Sequence, residues 1–184
     1  MSNKAINNNS RHSTLIETYF KELKACACNG PILDLACGDG RNGLFLDNQG
    51  LPVVFADYSE SALHTVNTQL DMMTTKSSIW PVHLEQPGIN PFENKHFSAA
   101  LVFRYLHRPL MPALLKAVIP GGLVVYETFT VENKAFGRPN NADFLLHLGE
   151  LNDMFNGWET LHYFEGILDN PTRAVAQIVC RKPL

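Results

Sequence analysis

The feature that most constrains the fold is a short apolar segment that ends in closely spaced glycines. Residues 31–37, PILDLAC, have the apolar character of a buried strand, and Gly38, Gly40 and Gly43 follow directly. Glycines let the backbone approach a ligand closely, and a helix that begins there points its first amides at that ligand. The segment therefore predicts a strand–turn–helix unit with a polar ligand at the turn.

Segments of helical and strand-like periodicity alternate along the rest of the chain. A capping-box pattern, Thr14-x-x-Glu17, predicts the start of the first helix, and Ser59 is the predicted cap of a later one. Strands are predicted at 31–37, 53–57, 79–84, 99–103, 123–126, 159–165 and 173–180, and helices at 14–25, 41–48, 59–70, 111–118 and within 143–155.

The order of these segments predicts an α/β fold. Strands separated by helices form parallel pairs, whereas the last two strands are joined by a short turn without room for a crossover helix and must be antiparallel. Pro81 places the third strand at a sheet edge. We therefore expect a doubly wound, mostly parallel seven-stranded sheet with an antiparallel last strand, in three layers.

Length, charge and composition narrow the class of protein. The chain has 184 residues, of which 45% are hydrophobic, enough for one well-buried core. We expect a flexible polar tail over 1–13 and a single domain over 14–184. A net charge of −3 and scattered basic residues argue against a nucleic-acid partner, and no apolar run is long enough for a membrane span. The polar start lacks the apolar core of a signal peptide, which predicts a cytoplasmic protein.

The cysteines predict no metal site. Cys26 and Cys28 form a CxC pair without a second pair at zinc-site spacing, so ordinary buried thiols near a helix end are the favoured interpretation. Cys37 and Cys180 lie in apolar strand-like runs and are expected in the core.

Two aspartates bear on the ligand. Asp34 lies inside the first strand, where a carboxylate is expensive to bury unless a positive or hydrogen-bonding group meets it. The pyrophosphate of a nicotinamide cofactor is a poor partner for it, whereas the ammonium and sulfonium groups of S-adenosylmethionine suit it. Asp57 ends the second strand, where it can accept both ribose hydroxyls of either cofactor.

Four segments together resemble the S-adenosylmethionine-dependent methyltransferases of the seven-stranded type. They are ILDLACGDGRN, VVFADYS, the apolar strand that ends in FRYLH, and IPGGLVVYETF, and the resemblance covers most of the chain after about Pro31. Within that superfamily, RYLHRPLMPALLKAVIPGGLVVYETF and GRPNNADFLLHLGEL are similar to small bacterial methyltransferases of the tellurite-resistance type. The resemblance implies a Rossmann-like methyltransferase fold, S-adenosylmethionine as cofactor and S-adenosylhomocysteine as product.

The resemblance also implies a set of cofactor contacts. The predicted cofactor-binding residues are Asp34, Ala36, Gly38, Gly40, Asn42, Asp57, Tyr58, Ser59, Glu85 and Phe103. Asp57 would bind the ribose, with Tyr58 or Ser59 beside the adenine. Many relatives have glycine at the position of Ala36, and an acidic residue where this chain has His83, so Glu85 or the backbone would read the adenine amino group.

The substrate site is expected where the winding of the sheet reverses, between the first and fourth strands. The candidate catalytic residues are His107, Tyr105 and Glu127, and the candidate substrate-binding residues are Arg104, Arg108 and Arg138. His107 is either a general base or a residue that packs or caps the helix near Pro109. Tyr105 either orients substrate or closes over the cofactor, Glu127 has a site role or a structural one, and the arginines bind an anionic group or remain solvated.

Three functional hypotheses are compatible with the sequence. The favoured one is methyl transfer to a small molecule, with a thiol, metalloid, amine or carboxylate as acceptor, by a monomer or homodimer. A non-catalytic protein that binds S-adenosylmethionine or S-adenosylhomocysteine is the alternative, and a nicotinamide-dependent oxidoreductase is the least favoured. Loop 130–141 and the chain before Thr14 are the segments expected to form a lid and to set specificity.

Overall fold

Seven strands form one sheet in this computed structural model, which describes residues 12–70 and 76–184. The strands are β1 (Ile32–Leu35), β2 (Val53–Asp57), β3 (Ser78–Pro81), β4 (Phe97–Phe103), β5 (Val118–Phe129), β6 (Glu159–Leu168) and β7 (Arg173–Arg181). Their order is β3-β2-β1-β4-β5-β7-β6, and β7 is antiparallel to both of its neighbours, whereas the other pairs are parallel. The predicted fold class is confirmed.

Helices cover both faces of the sheet. They are α1 (Thr14–Thr18), α2 (Phe20–Cys26), α3 (Arg41–Asn48), α4 (Glu60–Leu70), α5 (Met111–Ala117) and α6 (Glu150–Met154), with short 3-10 helices at Ala27–Asn29, Arg108–Leu110, Val131–Ala135 and Ala142–Phe144. The apolar sides of α1 to α4 pack on one face, and those of α5 and α6 on the other. Every residue of β4 is buried, as expected for a central strand covered on both sides.

The first helix differs from its prediction. The segment 14–25 is not one helix but two, α1 and α2, which meet at Tyr19. The N-cap is Ser13, whose side chain accepts from the Leu15 amide at 3.3 Å, so the predicted capping box at Thr14 and Glu17 is wrong. Because the Tyr19 hydroxyl donates to the Leu161 carbonyl at 3.1 Å, a contact with β6 holds the residue at this break.

Other boundaries shift by a few residues. The prediction of α3 matches its observed bounds, and Pro81 ends β3 at the sheet edge as predicted. The helix expected within 143–155 is only five residues long, and β5 begins at Val118, before the Pro-Gly-Gly turn that was expected to precede it. A Cβ on Gly122 would lie 2.8 Å from the Ser98 carbonyl oxygen, so glycine lets β5 and β4 approach closely at this point.

The predicted polar tail, 1–13, lies outside the described residues except for its last two. The His12 ring stacks on Phe45 with 3.8 Å between ring centroids, and the Ser13 amide donates to Asn42 Oδ1 at 2.9 Å. These two residues therefore pack against α3 and are not part of a free tail.

The CxC pair is split between the core and the surface. Cys26 is buried, and burial raises the pKa of its thiol, whereas Cys28 is exposed, contrary to the expectation that both are buried. Cys180 is buried as expected, and Cys37 is only partly buried.

Candidate functional site

The turn after β1 and the first turn of α3 each contain a glycine that packing requires, Gly40 and Gly43. A Cβ on Gly40 would come within 2.7 Å of a Val66 methyl carbon, and a Cβ on Gly43 within 2.4 Å of the Phe55 ring. Gly40 also has a φ of 74°, in the left-handed region. Glycine at both positions brings the first turn of α3 down onto the end of the sheet.

Asp34 lies beneath this turn. The residue is only 3% exposed, and the Gly43 amide donates to its Oδ2 at 2.8 Å. Burial raises the pKa of Asp34 to about 7, and the hydrogen bond from Gly43 and the charge of Arg41 oppose that rise. The Asp34 carboxyl is therefore much easier to protonate than an exposed aspartate.

Asp57, at the end of β2, is fixed by two backbone amides. Gly38 donates to its Oδ2 and Ser59 to its Oδ1, each at 2.9 Å. The residue is 8% exposed. A carboxylate has about four acceptor positions, so these two bonds leave each oxygen able to accept another donor.

A cleft of about 610 Å³, the first cleft, opens at the carboxyl ends of the parallel strands. It is lined by Ala36, Asp57, Tyr58, Val82, His83, Leu84, Glu85, Arg104, Tyr105, Leu106, Phe129, Pro139 and Phe144. These residues come from the segments that follow β1 to β4 and from the chain after β5. The first cleft thus lies where the strand order reverses, the position at which open α/β sheets bind ligands.

The two strand ends that face each other across the first cleft both hold a strained residue. Ala36, after β1, has a φ of 51°, and Arg104, after β4, has a φ of 57°. Side chains other than glycine and asparagine adopt this region at a cost of about 1 to 2 kcal/mol. Such strain is concentrated at functional sites.

Tyr105 contributes a buried hydroxyl to the first cleft. Among the described residues, this hydroxyl has no partner with hydrogen-bond geometry. Burial raises the pKa of Tyr105, and the nearby Glu85 carboxylate raises it further. The backbone of Tyr105 is held by Tyr126, whose hydroxyl donates to its carbonyl at 2.9 Å.

A smaller cleft of about 310 Å³, the second cleft, shares Arg104 with the first. It is lined by His12, Ser13, Thr14, Arg41, Arg104, Glu127, Leu168, Asn170, Pro171, Arg173 and Gln177. The chain before α1, the end of β5 and the β6–β7 turn meet there. Its lining is mostly polar or charged, whereas aromatic and aliphatic side chains dominate the first cleft.

Glu127 is the carboxylate of the second cleft. It is 5% exposed, Gln177 Nε2 donates to its Oε2 at 2.6 Å, and an Arg173 nitrogen lies 3.9 Å from its Oε1. His162 extends the contact outwards, with 3.2 Å between its Nε2 and Gln177 Oε1. Glu127 therefore belongs to a network that joins β5, β7 and β6.

The predicted cofactor residues fall into two groups. Ala36, Asp57, Tyr58 and Glu85 line the first cleft. The remaining six, Asp34, Gly38, Gly40, Asn42, Ser59 and Phe103, are not among its lining residues.

Three residues of the second group make hydrogen bonds to residues at or near the two clefts. Gly38 donates to Asp57, and the hydroxyl oxygen of Ser59 accepts from the Ala62 amide at 3.3 Å at the start of α4. Asn42 accepts from Ser13 and therefore faces the second cleft's edge.

The predicted substrate and catalytic residues are also divided. Arg104 and Tyr105 line the first cleft, and Glu127 lines the second. His107 lines neither; it is the N-cap residue of the 3-10 helix Arg108–Leu110, where its carbonyl accepts from the Leu110 amide at 3.0 Å and its side chain makes no capping hydrogen bond.

Arg108 makes its hydrogen bonds within the protein. Its Nε lies 2.5 Å from Glu150 Oε1, a second nitrogen lies 2.8 Å from Oε2, and it also donates to the carbonyls of Asp143 and Leu145 at 2.9 Å. These contacts do not support a role in substrate binding. Arg138 is exposed and lies next to Pro139 at the edge of the first cleft, without lining it.

Sequence reasoning missed several residues of the second cleft, above all Arg173 and Gln177. The signal was available in the topology. Because β7 is antiparallel to β5, its first residues lie beside the end of β5, and Gln177 pairs with Glu127 in register. Polar residues at the start of a reversed strand are thus brought to the same edge as the carboxyl ends of the parallel strands.

The strand order, the glycine turn after β1 and the carboxylate after β2 define a Rossmann-like fold of the methyltransferase type. Two solved structures share it: TehB from Haemophilus influenzae, with a TM-score of 0.67 and 21% identity over 89% of this chain and 62% of that one, and a methyltransferase from Methanosarcina mazei, with 0.69 and 15% over 95% and 99%. The family model described as "Tellurite resistance protein TehB" matches residues 2–173, and the chain belongs to this family.

A curated relative has a function in its name. The "probable S-adenosyl-L-methionine-dependent methyltransferase TehB" of Haemophilus influenzae strain Rd is 24% identical over 144 residues, which are 74% of this chain and 48% of that protein. The chain therefore matches about half the length of this curated relative.

Within the described ranges, 12–70 and 76–184, no helix is long and apolar enough to cross a membrane, and no three His, Cys, Asp or Glu side chains lie close enough together to hold a metal ion.

Proposed function

We propose that the chain is an S-adenosylmethionine-dependent methyltransferase that acts on a small molecule and releases S-adenosylhomocysteine. Membership of the TehB family and the shared fold support the proposal. The first cleft supports it further, because it lies at the ligand position of this sheet topology and its volume suits a nucleoside with an amino-acid arm.

The observation that carries the proposal is the geometry of Asp57. Its two oxygens are oriented by the Gly38 and Ser59 amides at 2.9 Å, and the residue lines the first cleft at the end of β2. A fixed carboxylate with one acceptor position left on each oxygen suits two adjacent ribose hydroxyls.

The remaining lining fits the rest of the cofactor. Val82, Leu84 and Leu106 would provide apolar walls for an adenine ring, and the ring of Tyr58, which is 76% exposed and lies 6.1 Å from the His83 ring, would cover it. The Tyr105 hydroxyl is buried near the Glu85 carboxylate without a well-formed hydrogen bond, and a cofactor atom would give it a partner.

Asp34 would act on the cofactor through its charge. It lies under the glycine turn, and an ammonium group in the neighbouring cleft would favour the ionised form of a carboxyl whose pKa is about 7. Cofactor binding is then coupled to the loss of a proton from Asp34.

When bound, S-adenosylmethionine supplies an electrophilic methyl group on a sulfonium for in-line transfer. The protein then has to align the acceptor and exclude water. Phe129, Pro139 and Phe144 line the first cleft and would exclude water from it. The position of His107 outside both clefts favours acceptors that need no protein base, such as thiolates, over neutral amines and alcohols.

Specificity is proposed to lie in the segments around the mouth of the two clefts. Pro139 of loop 130–141 lines the first cleft, and His12 and Ser13 line the second. A cytoplasmic location and a monomeric or homodimeric state complete the proposal.

Calorimetric titration tests the cofactor assignment. S-adenosylhomocysteine should bind with micromolar or better affinity, and NAD at the same concentrations should give no signal. Binding of NAD without a response to S-adenosylhomocysteine would identify a nicotinamide enzyme instead. Product formation is then assayed with thiol, metalloid, amine and carboxylate acceptors, and persistent absence of product despite cofactor binding would favour a non-catalytic binding protein.

Asp57→Ala tests the placement of the ribose. The variant should lose about 1.5 to 3 kcal/mol of binding free energy for S-adenosylhomocysteine, because two hydroxyls lose a charged acceptor. Asp39→Ala, in the exposed part of the same turn, is the matched control and should bind with unchanged affinity. Equal affinities for the two variants would show that the nucleoside lies elsewhere.

A further inference from the structure

The second cleft has an unusual charge pattern. Its described lining contains three arginines, Arg41, Arg104 and Arg173, and a single carboxylate residue, Glu127. The chain as a whole has a net charge of −3, so this local excess of positive charge opposes the overall balance. A cleft of this kind attracts anions.

Glu127 does not neutralise the cleft by itself. Its Oε2 already accepts from Gln177 at 2.6 Å, and its Oε1 is 3.9 Å from Arg173, longer than a charge-assisted hydrogen bond. Arg173 Nε is buried without a hydrogen-bond partner among the described residues. One of its terminal nitrogens donates to the Pro171 carbonyl at 3.1 Å. A buried N–H without an acceptor is costly, and a ligand oxygen that entered beside Arg173 would reduce this cost.

The other two arginines are crowded. Burial lowers the pKa of Arg41 and the nearby charge of Arg104 lowers it further, while the carboxylates of Glu127 and Asp34 oppose the shift. Arg104 is also held in the left-handed region, with its amide donating to the Glu127 carbonyl at 2.9 Å. An anion between the side chains would relieve the repulsion and would account for a strained arginine at this position.

The size of the cleft narrows the type of anion. A volume of about 310 Å³ corresponds to about ten water molecules, which exceeds the need of an inorganic oxyanion. Leu168 and Pro171 lie in the same lining and offer apolar contact to a carbon skeleton. Paired guanidinium nitrogens match the planar geometry of a carboxylate.

We propose that the second cleft binds the carboxylate of a small organic acid through Arg104 and Arg173, and that this acid is the methyl acceptor. The second half of this statement rests on the proposed function. Arg104 lines both clefts, so an acid whose carboxylate binds in the second cleft lies beside the proposed cofactor position. The atom that accepts the methyl group then belongs to another part of the acid, which reaches into the first cleft.

Ligand-observed NMR titration with phenylacetate tests the anion site, and phenylacetamide is the neutral probe of the same shape. Phenylacetate should bind about tenfold more tightly than the amide, since charged hydrogen bonds to the guanidinium groups are lost in the amide. Arg173→Gln should abolish this preference. Arg181→Gln, at the opposite end of β7 beside Glu159, removes the same charge outside the clefts and should keep it.

Two further measurements test whether the variants are folded and whether the site binds inorganic anions instead. Arg104→Gln is a second variant that should weaken phenylacetate binding, and retained S-adenosylhomocysteine binding by Arg173→Gln would show that the fold is intact. Equal binding of phenylacetate and phenylacetamide by the unchanged protein overturns the proposal. Complete displacement of phenylacetate by equimolar sulfate would assign the site to inorganic oxyanions and would equally overturn it.

The same titrations separate this proposal from the proposed function. Binding of S-adenosylhomocysteine without any preference for phenylacetate refutes the acid site and leaves the methyltransferase assignment intact. Preference for phenylacetate without binding of S-adenosylhomocysteine refutes the acceptor role and the cofactor assignment, and leaves only an anion site.

Discussion

The most informative single residue is Asp34, because its burial disfavours the ionised form of the carboxyl relative to the protonated form. Its pKa in the folded protein is about 7, above the ordinary value of 3.8. A raised folded pKa means that the protonated form stabilises the fold fully below about pH 4, and that this contribution is lost as the pH rises to about 7.

Asp34→Asn should therefore stabilise the protein in a pH-dependent way. Asparagine keeps an oxygen for the Gly43 amide and cannot ionise, so the gain in unfolding free energy should be about 2 to 3 kcal/mol larger at pH 8 than at pH 5. Urea unfolding at both pH values measures it. S-adenosylhomocysteine affinity should fall in the same variant, because the charge that favours an ammonium group is gone.

The exposed Asp39→Asn substitution is the control and should change stability by less than about 0.5 kcal/mol. A loss of stability in Asp34→Asn at pH 8 would show that the ionised carboxyl is not a destabilising group.

Ala36 allows a test of backbone strain. Replacing an alanine inside a strand by glycine lowers the unfolding free energy by about 0.5 to 1 kcal/mol, but Ala36 has a φ of 51°, where glycine is favoured. Ala36→Gly should leave the unfolding free energy unchanged or raise it by up to about 1 kcal/mol, whereas Ala100→Gly, inside β4, should lower it. Equal losses in both variants would show that Ala36 is not strained.

Residues that belong to a local sequence motif were predicted correctly, whereas residues placed by long-range contacts were not. The spacing of Asp57 from the glycine turn and its place after an apolar strand were sufficient to locate it at the first cleft. Arg173 was not predicted, because its place beside Glu127 depends on a strand pairing fifty residues away in the chain, between Glu127 and Gln177. Arg108 was assigned to substrate because nothing near it in the sequence reveals its partner Glu150.

Among the elements, the start of α6 is held against the segment after β4 by the ion pair between Arg108 and Glu150. The hydrogen bonds from Arg108 hold the pKa of Glu150 below its ordinary value of 4.5. A lowered folded pKa means that the pair stabilises the protein above about pH 4.5, and that this contribution is lost as the pH falls through the folded pKa.

Glu150→Gln should lower the unfolding free energy by about 1 to 2 kcal/mol at pH 7, a value reduced from that of a buried pair because the two side chains are 33% and 20% exposed. The loss should shrink below pH 4. Glu159→Gln removes a carboxylate that is 64% exposed and 3.5 Å from Arg181, and should change stability by less than about 0.5 kcal/mol. Equal effects of the two substitutions in denaturant melts would contradict a special role for the Arg108 pair.

Prediction of the elements succeeded where local pattern and tertiary packing agree. Helix α3 has the predicted bounds because glycines delimit it at both ends. The single helix expected over 14–25 breaks at Tyr19, whose hydroxyl bonds to Leu161, and no local signal reveals a partner on β6. The start of β5 was placed too late because Pro-Gly-Gly was interpreted as a turn, although Gly122 serves close packing against Ser98.

For the whole molecule, topology was easier to predict than boundaries. The alternation of helices and strands fixes the parallel pairs, and the short link between the last two strands requires the antiparallel ones. Each step follows from connection length alone and does not depend on where an element ends. The same topology places residues as distant as Ala36 and Phe144 on one cleft.

A ligand bound across that cleft should therefore stabilise the whole molecule and not one loop. Binding only to the folded state adds about 2.7 kcal/mol of unfolding free energy at a ligand concentration of 100 times Kd. For a domain of this length, that should raise Tm by about 5 to 10 °C with S-adenosylhomocysteine. Thermal melts measured by circular dichroism at two wavelengths should shift together, and NAD at the same concentration should leave Tm unchanged. A shift seen by near-ultraviolet signals alone would indicate that the ligand orders only the aromatic residues around Tyr105 and Phe144, and would contradict a cofactor that joins the two halves of the sheet.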